Sequence, residues 1–193
     1  MFAPDVANYG PVFAQLLDVG RINELGPGTP HVAARGKLKE LTAKKAFAGR
    51  HVVDGEMASA CIAGVWLLHD FPEESHRISQ AIDTPTGSYW HGIMHRREPD
   101  YSNARYWFRR VGTHPVFRAL AESARQLAAE EQADGAALFL ADRSDWDPLR
   151  FVDLCEMVAG GNSSSERLCR RVQHQEWWLL FDWCWRQAIG QIA

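Results

Sequence analysis

The chain has 193 residues, 46% of them hydrophobic and 23% charged, with a formal net charge of −3. That length can bury a sizeable core in one domain over residues 1–193 without disulfide staples. The acidic balance argues against nucleic acid as a partner, although residues 96–110 are locally basic.

The first ten residues, MFAPDVANYG, carry neither a basic n-region nor an apolar h-region, so no signal peptide is expected. Turn signals such as Gly26-Pro27-Gly28 cut the chain into short pieces. The first helix is expected from Val6 or later to Asp18, broken near Gly10-Pro11, and a short basic helix follows from about Lys37 to Ala46. Asp54 is placed to cap a helix through MASACIAGVWLL, apolar on nearly every side and therefore central and buried. Its apolar run, Met57 to Leu68, is too short to span a bilayer, so no membrane association and a cytoplasmic location are expected.

Phe71-Pro72 ends that helix, and a polar one covers about Glu73 to Ile82. Asp70 and Glu73 fit a capping pattern at its start. Helices through SYWHGIMHRR and SNARYWFRRV come next, the second stopped by Gly112, with Ser102 and Asn103 at its start. Pro115 opens an amphipathic helix carrying Val116, Phe117, Leu120, Ala124 and Leu127. Only Ala137 to Ala141 has strand character. A helix through RFVDLCEMVA follows Pro148 and ends at Gly160-Gly161. Ser163 and Glu166 form a capping-box pattern for the last helix, whose middle, WWLLFDWCW, is apolar all round and which Gly190 stops. The reading is all-α: a single-domain irregular bundle of about eight helices.

Cys61, Cys155, Cys169 and Cys184 match no metal or CxxC spacing and are expected to be free thiols in apolar settings. Lysine occurs only at positions 37, 39, 44 and 45, against seventeen arginines, a bias toward planar, bidentate or partly buried pairing.

The unusual chemistry is crowded between His69 and His114, which hold five of the eight histidines. On the helix around Trp90, an apolar face of Trp90, Ile93 and Met94 also takes in Arg97, which must there find partners. His91 and His95 lie four apart on one stripe, with Glu98 three further on; an HxxxH pair can grip one metal ion. Gly92 stands where an HExxH motif has its glutamate, and no third ligand is evident, so no tightly bound metal is expected. Glu73 and His76 have the Glu-x-x-His spacing of di-iron bundles, but no second such pair exists. If a metal is held, its candidate ligands are Glu73, His76, His91 and His95. The doublet His69-Asp70 resembles that of the HD superfamily of helical metal-dependent phosphohydrolases, which implies a further upstream histidine, such as His51, and a downstream aspartate. Arg105 and Arg109 present two guanidinium forks from one stripe, suited to a carboxylate or phosphate, or to acids such as Glu98 and Asp100.

The segment Tyr89 to Pro115, YWHGIMHRREPDYSNARYWFRRVGTHP, resembles the signature of an uncharacterised all-helical protein family. Leu68 to Phe71, with Glu74, Ser75, His76 and Gln80, and Gln175 to Phe181 look like the same family's flanking motifs. The resemblance covers a third to a half of the chain and implies no catalytic role for any residue.

Together these features lead to an expectation of a small polar or anionic ligand bound in a pocket formed by residues 69–114. Trp90, His91, His95, Arg96, Arg97, Tyr101, Arg105 and Arg109 would line it. As an enzyme, the protein would use His69, His76, His91 or His95 as acid or base. Two rivals stand beside this reading. One is a metal-dependent hydrolase using His91 and His95. The other is a structural role, with the arginines and acids in a buried ion-pair network, whether within the chain or at a homodimer interface. The sequence identifies no cofactor.

Overall fold

The computed structural model describes residues 1–142 and 145–191, and among them every regular element is helical. A one-turn 3-10 helix, Val6–Tyr9, precedes α1 (Pro11–Ala14). Then come α2 (Arg35–Lys39), α3 (Ala43–Ala46), α4 (Gly55–Leu68), α5 (Pro72–Ser79), α6 (Pro85–Arg97) and α7 (Tyr101–Val111). The chain continues with α8 (Val116–Glu130), α9 (Phe139–Asp142), α10 (Pro148–Val158) and α11 (Ser164–Ala188). No helix among the described residues is long and apolar enough to cross a membrane.

Local chemistry sets most of the helix starts. The Asp54 carboxylate accepts from Met57 N–H at 3.0 Å, as its spacing predicts. Ser163 Oγ accepts from Glu166 N–H at 3.1 Å, while Glu166 reaches past the cap to accept from Asn162 N–H. Three expectations are corrected, the first being the count: the described residues form eleven α-helices rather than about eight, because one-turn pieces such as α1, α3 and α9 add to the longer ones. The single basic helix over 37–46 is two pieces, because Thr42 Oγ1 takes the Lys45 N–H and starts a new helix there. The strand suggested at 137–141 is a 3-10 turn, Gly135–Leu138, running into α9. An isolated apolar run with no partner strand has nowhere to place its ladder hydrogen bonds.

A single hydrophobic cluster draws residues from Tyr9 to Ala188. At its centre α4 packs against α11, as their all-round apolar sequences predict, and Trp177 Nε1–H donates to Gly64 O at 3.0 Å between them. A third helix joins them in the interior. Every residue of α6 from Thr86 to Arg97 is buried, although four of the last seven, His91, His95, Arg96 and Arg97, are histidine or arginine rather than apolar. The helix is enclosed by α4, α5 and α7 and touches α11 through Trp90 and Arg96. Gly92 permits the close approach of α7, since a Cβ there would lie 3.0 Å from the Phe108 ring. All four cysteines are free and buried.

Candidate functional site

The polar side chains of α6 divide between two destinations. Its arginines go inward to carboxylates. Arg96 is fully buried, pairs with Glu176 of α11, donates to Gln173 Oε1 at 3.2 Å and lies over the Phe151 ring at 4.7 Å. Arg97 pairs with Asp70 and donates to the Leu67 carbonyl at 2.7 Å.

Its histidines instead converge on α5. His76, His91 and His95 each offer one ring nitrogen, and the three nitrogens lie within 4.8 Å of one another. Their ring centroids are 4.6 Å apart for His76–His91, 5.3 Å for His76–His95 and 4.9 Å for His91–His95. The i, i+4 spacing puts His91 and His95 on one side of α6, and the packing of α5 against α6 brings His76 across to them. Trp107 of α7 stacks flat on the outer face of His91, with centroids 3.9 Å apart and planes 13° from parallel. Four-coordinate zinc with bonds of ~2.0–2.1 Å sets its nitrogens about 3.4 Å apart, so modest side-chain rotation closes the set on an ion.

The electrostatics suit a ligand set. Burial, followed by the neighbouring His95 and His76, pushes the His91 imidazole down to about 3, and burial with His76 also lowers His95. Both rings are therefore neutral near pH 7, with lone pairs free to coordinate. His91 Nδ1 and His95 Nδ1 are buried without a hydrogen-bond partner. Carboxylates stand beside the set: Glu98 Oε2 is 3.5 Å and Asp100 Oδ2 3.9 Å from His95 Nδ1.

The other residues singled out by sequence are dispersed. His69 lies on another side of the core, where its Nε2–H donates to the Leu16 carbonyl at 2.8 Å, leaving Nδ1 to accept from His31 Nδ1–H at 3.0 Å. Asp70 is not a cap: α5 has no side-chain cap at Phe71, and Asp70 pairs with Arg21 and Arg97 and accepts from Asn23. The resemblance of His69-Asp70 to the HD doublet therefore finds its carboxylate already enclosed by two guanidinium groups. Glu73 is an exposed first-turn residue of α5, outside the histidine group. Trp90 is fully buried against Cys184 and Trp177, so it is core and not a pocket wall. Tyr101 is half-buried against the same core. Arg105 pairs with Asp153 and Glu156 of α10, and Arg109 is exposed.

Sequence reasoning did not select Trp107 for the site; it named His76 beside His91 and His95 as a candidate ligand, but nothing in the spacing showed that the three would meet. The available signal was His76, His91 and His95 all lying on the stripes that face one helix junction. No family model, curated protein or solved structure matches the chain.

Proposed function

We propose that this protein is a metal-dependent hydrolase whose single divalent ion is held by His76, His91 and His95. The observation that carries this reading is the convergence of three imidazole nitrogens from two helices within 4.8 Å. The sequence pointed away from metal because HxxxH had no third ligand; α5 brings one. Three neutral nitrogen donors suit zinc and its first-row neighbours, and three protein ligands leave a position for water. An ion held by these three residues would supply Lewis-acid activation of water for hydrolysis. Trp107 shields His91 on one face, and Glu98 and Asp100 set a negative field beside the site.

Arg96, Arg97 and Arg105 are each committed to carboxylates, which favours the metal reading over an anion pocket built from those arginines. The same ion pairs support a structural role for the arginine–acid network inside the chain.

The test is metal content and zinc affinity of untagged protein, followed by assay against activated ester, phosphomonoester and phosphodiester substrates. One equivalent of zinc retained through dialysis, hydrolysis that depends on it, and loss of both in His91→Ala and His76→Ala are expected. Failure to bind zinc, iron or manganese at micromolar concentration would overturn the reading.

A further inference from the structure

We propose that Glu98 is the positioning residue of this centre: it holds the proton on His95 Nδ1 and so presents His95 Nε2 to the metal. The inference rests on the metal reading above. His95 Nδ1 is buried and lacks a hydrogen-bond partner, and the His95 side chain is only 10% exposed. A neutral imidazole carries a proton on one nitrogen and a lone pair on the other, and the acceptor nearest a ring nitrogen decides which. The oxygens facing His95 Nδ1 are Glu98 Oε2 at 3.5 Å and Asp100 Oδ2 at 3.9 Å. A small rotation of either partner closes the first distance to a hydrogen bond.

The chain is folded to hold these oxygens there. After α6 ends, Asp100 N–H donates back to the His95 carbonyl at 3.0 Å. Asp100 is itself tied down, accepting from Asn103 N–H at 3.2 Å and from Asn103 Nδ2–H at 2.7 Å. Its carboxylate therefore serves the start of α7, and Glu98, with no such cap to make, is the one free to turn onto His95. Glu98 sits three residues beyond His95, one helical turn on, which is the spacing that lets its side chain reach back along the same stripe. A carboxylate bonded to the far nitrogen of a metal-bound histidine fixes its tautomer and ring orientation and raises its basicity as a ligand.

The experiment measures zinc affinity of wild type, Glu98→Gln and Glu98→Ala by competition with a chromogenic chelator, with the His95 tautomer read from imidazole 15N shifts. Wild type is expected to bind one zinc with Nδ1 protonated and Nε2 coordinated. Glu98→Ala should bind the same one equivalent about 10- to 100-fold more weakly. Glu98→Gln, which keeps an acceptor oxygen but not the charge, should fall between them. Metal-free melting of both variants should match wild type, since Glu98 lies at the surface. Unchanged affinity in Glu98→Ala, or coordination through Nδ1, overturns the proposal while leaving the three-histidine centre standing. Complete loss of binding in both variants makes Glu98 a direct ligand and equally overturns it. Absence of zinc binding in the wild type instead removes the metal reading itself.

Discussion

Arg97 and Asp70, 27 positions apart, form a buried ion pair that locks the end of α6 to the end of α4. Asp70 adopts a φ of +61°, a left-handed conformation uncommon for residues with a side chain, and its carboxylate also receives Arg21 and Asn23. Arg97 adds bonds to the carbonyls of Gly26, Pro27 and Leu67. The loop around Gly28 is drawn in so closely that a Cβ there would stand 2.6 Å from the Asp70 carboxyl, which together with a φ of +71° explains the glycine. Asp70→Ala strands Arg97 as an uncompensated buried charge. It should lower unfolding free energy by about 3–5 kcal/mol in urea titrations. A loss below about 1 kcal/mol would show that water reaches the guanidinium.

Arg105 offers the contrasting case. Its partners Asp153 and Glu156 lie at the surface, with side chains 58% and 46% exposed. Such pairs contribute about 0–1 kcal/mol, so Arg105→Gln should shift the melting temperature only slightly, and less at high salt. A loss as large as that of Asp70→Ala would mean the pair is far better shielded than its exposure indicates.

Gly87 sits in the first turn of α6, where a Cβ would lie 2.1 Å from the Ile82 carbonyl oxygen. A backbone oxygen cannot rotate aside, so Gly87→Ala must displace the turn between α5 and α6. Destabilisation of about 1–3 kcal/mol is expected, with zinc affinity falling too, because this turn sets His76 against His91 and His95. Wild-type affinity in a destabilised variant would uncouple the turn from the site.

His114 is a neutral structural histidine. Its Nδ1 accepts from Val116 N–H at 3.3 Å at the start of α8, and its Nε2 faces Thr86 Oγ1 at 3.2 Å. Burial pushes its pKa down to about 4. The unfolded chain takes up the proton near pH 6.5 and the folded chain only near pH 4, so stability is full above the first value and declines between them. The decline attributable to this residue is roughly 3 kcal/mol. Unfolding measured at pH 7 and pH 4.5 should show a smaller acid loss in His114→Asn than in wild type. Equal losses would place the acid sensitivity in other histidines.

Zinc should join α5 to α6 and therefore stabilise the fold. At a free concentration 100 times the dissociation constant the gain is about 2.7 kcal/mol, visible as a rise in melting temperature that His76→Ala abolishes. An equal rise in that variant would indicate binding elsewhere on the chain.

The sequence by itself determined the helical class, most helix ends and the identity of two central helices. These follow from signals local to a few residues: Asp54 and Ser163 accept backbone N–H groups three positions on, Gly112 and Gly190 take positive φ or end a turn, and the apolar periods of α4 and α11 are continuous. It also singled out the stretch that holds His76, His91 and His95. Tertiary structure alone decided which side chains meet. Helical periodicity assigns a residue to a stripe, but the partner of that stripe depends on how helices cross, and crossing is set by packing among residues remote in sequence. Thus Arg96 finds Glu176 eighty positions away, and Arg97 finds Asp70 where a helix cap was expected. His91 and His95 share a stripe because of the α-helical repeat, but His76 joins them only because the turn at Gly87 folds α5 back against α6.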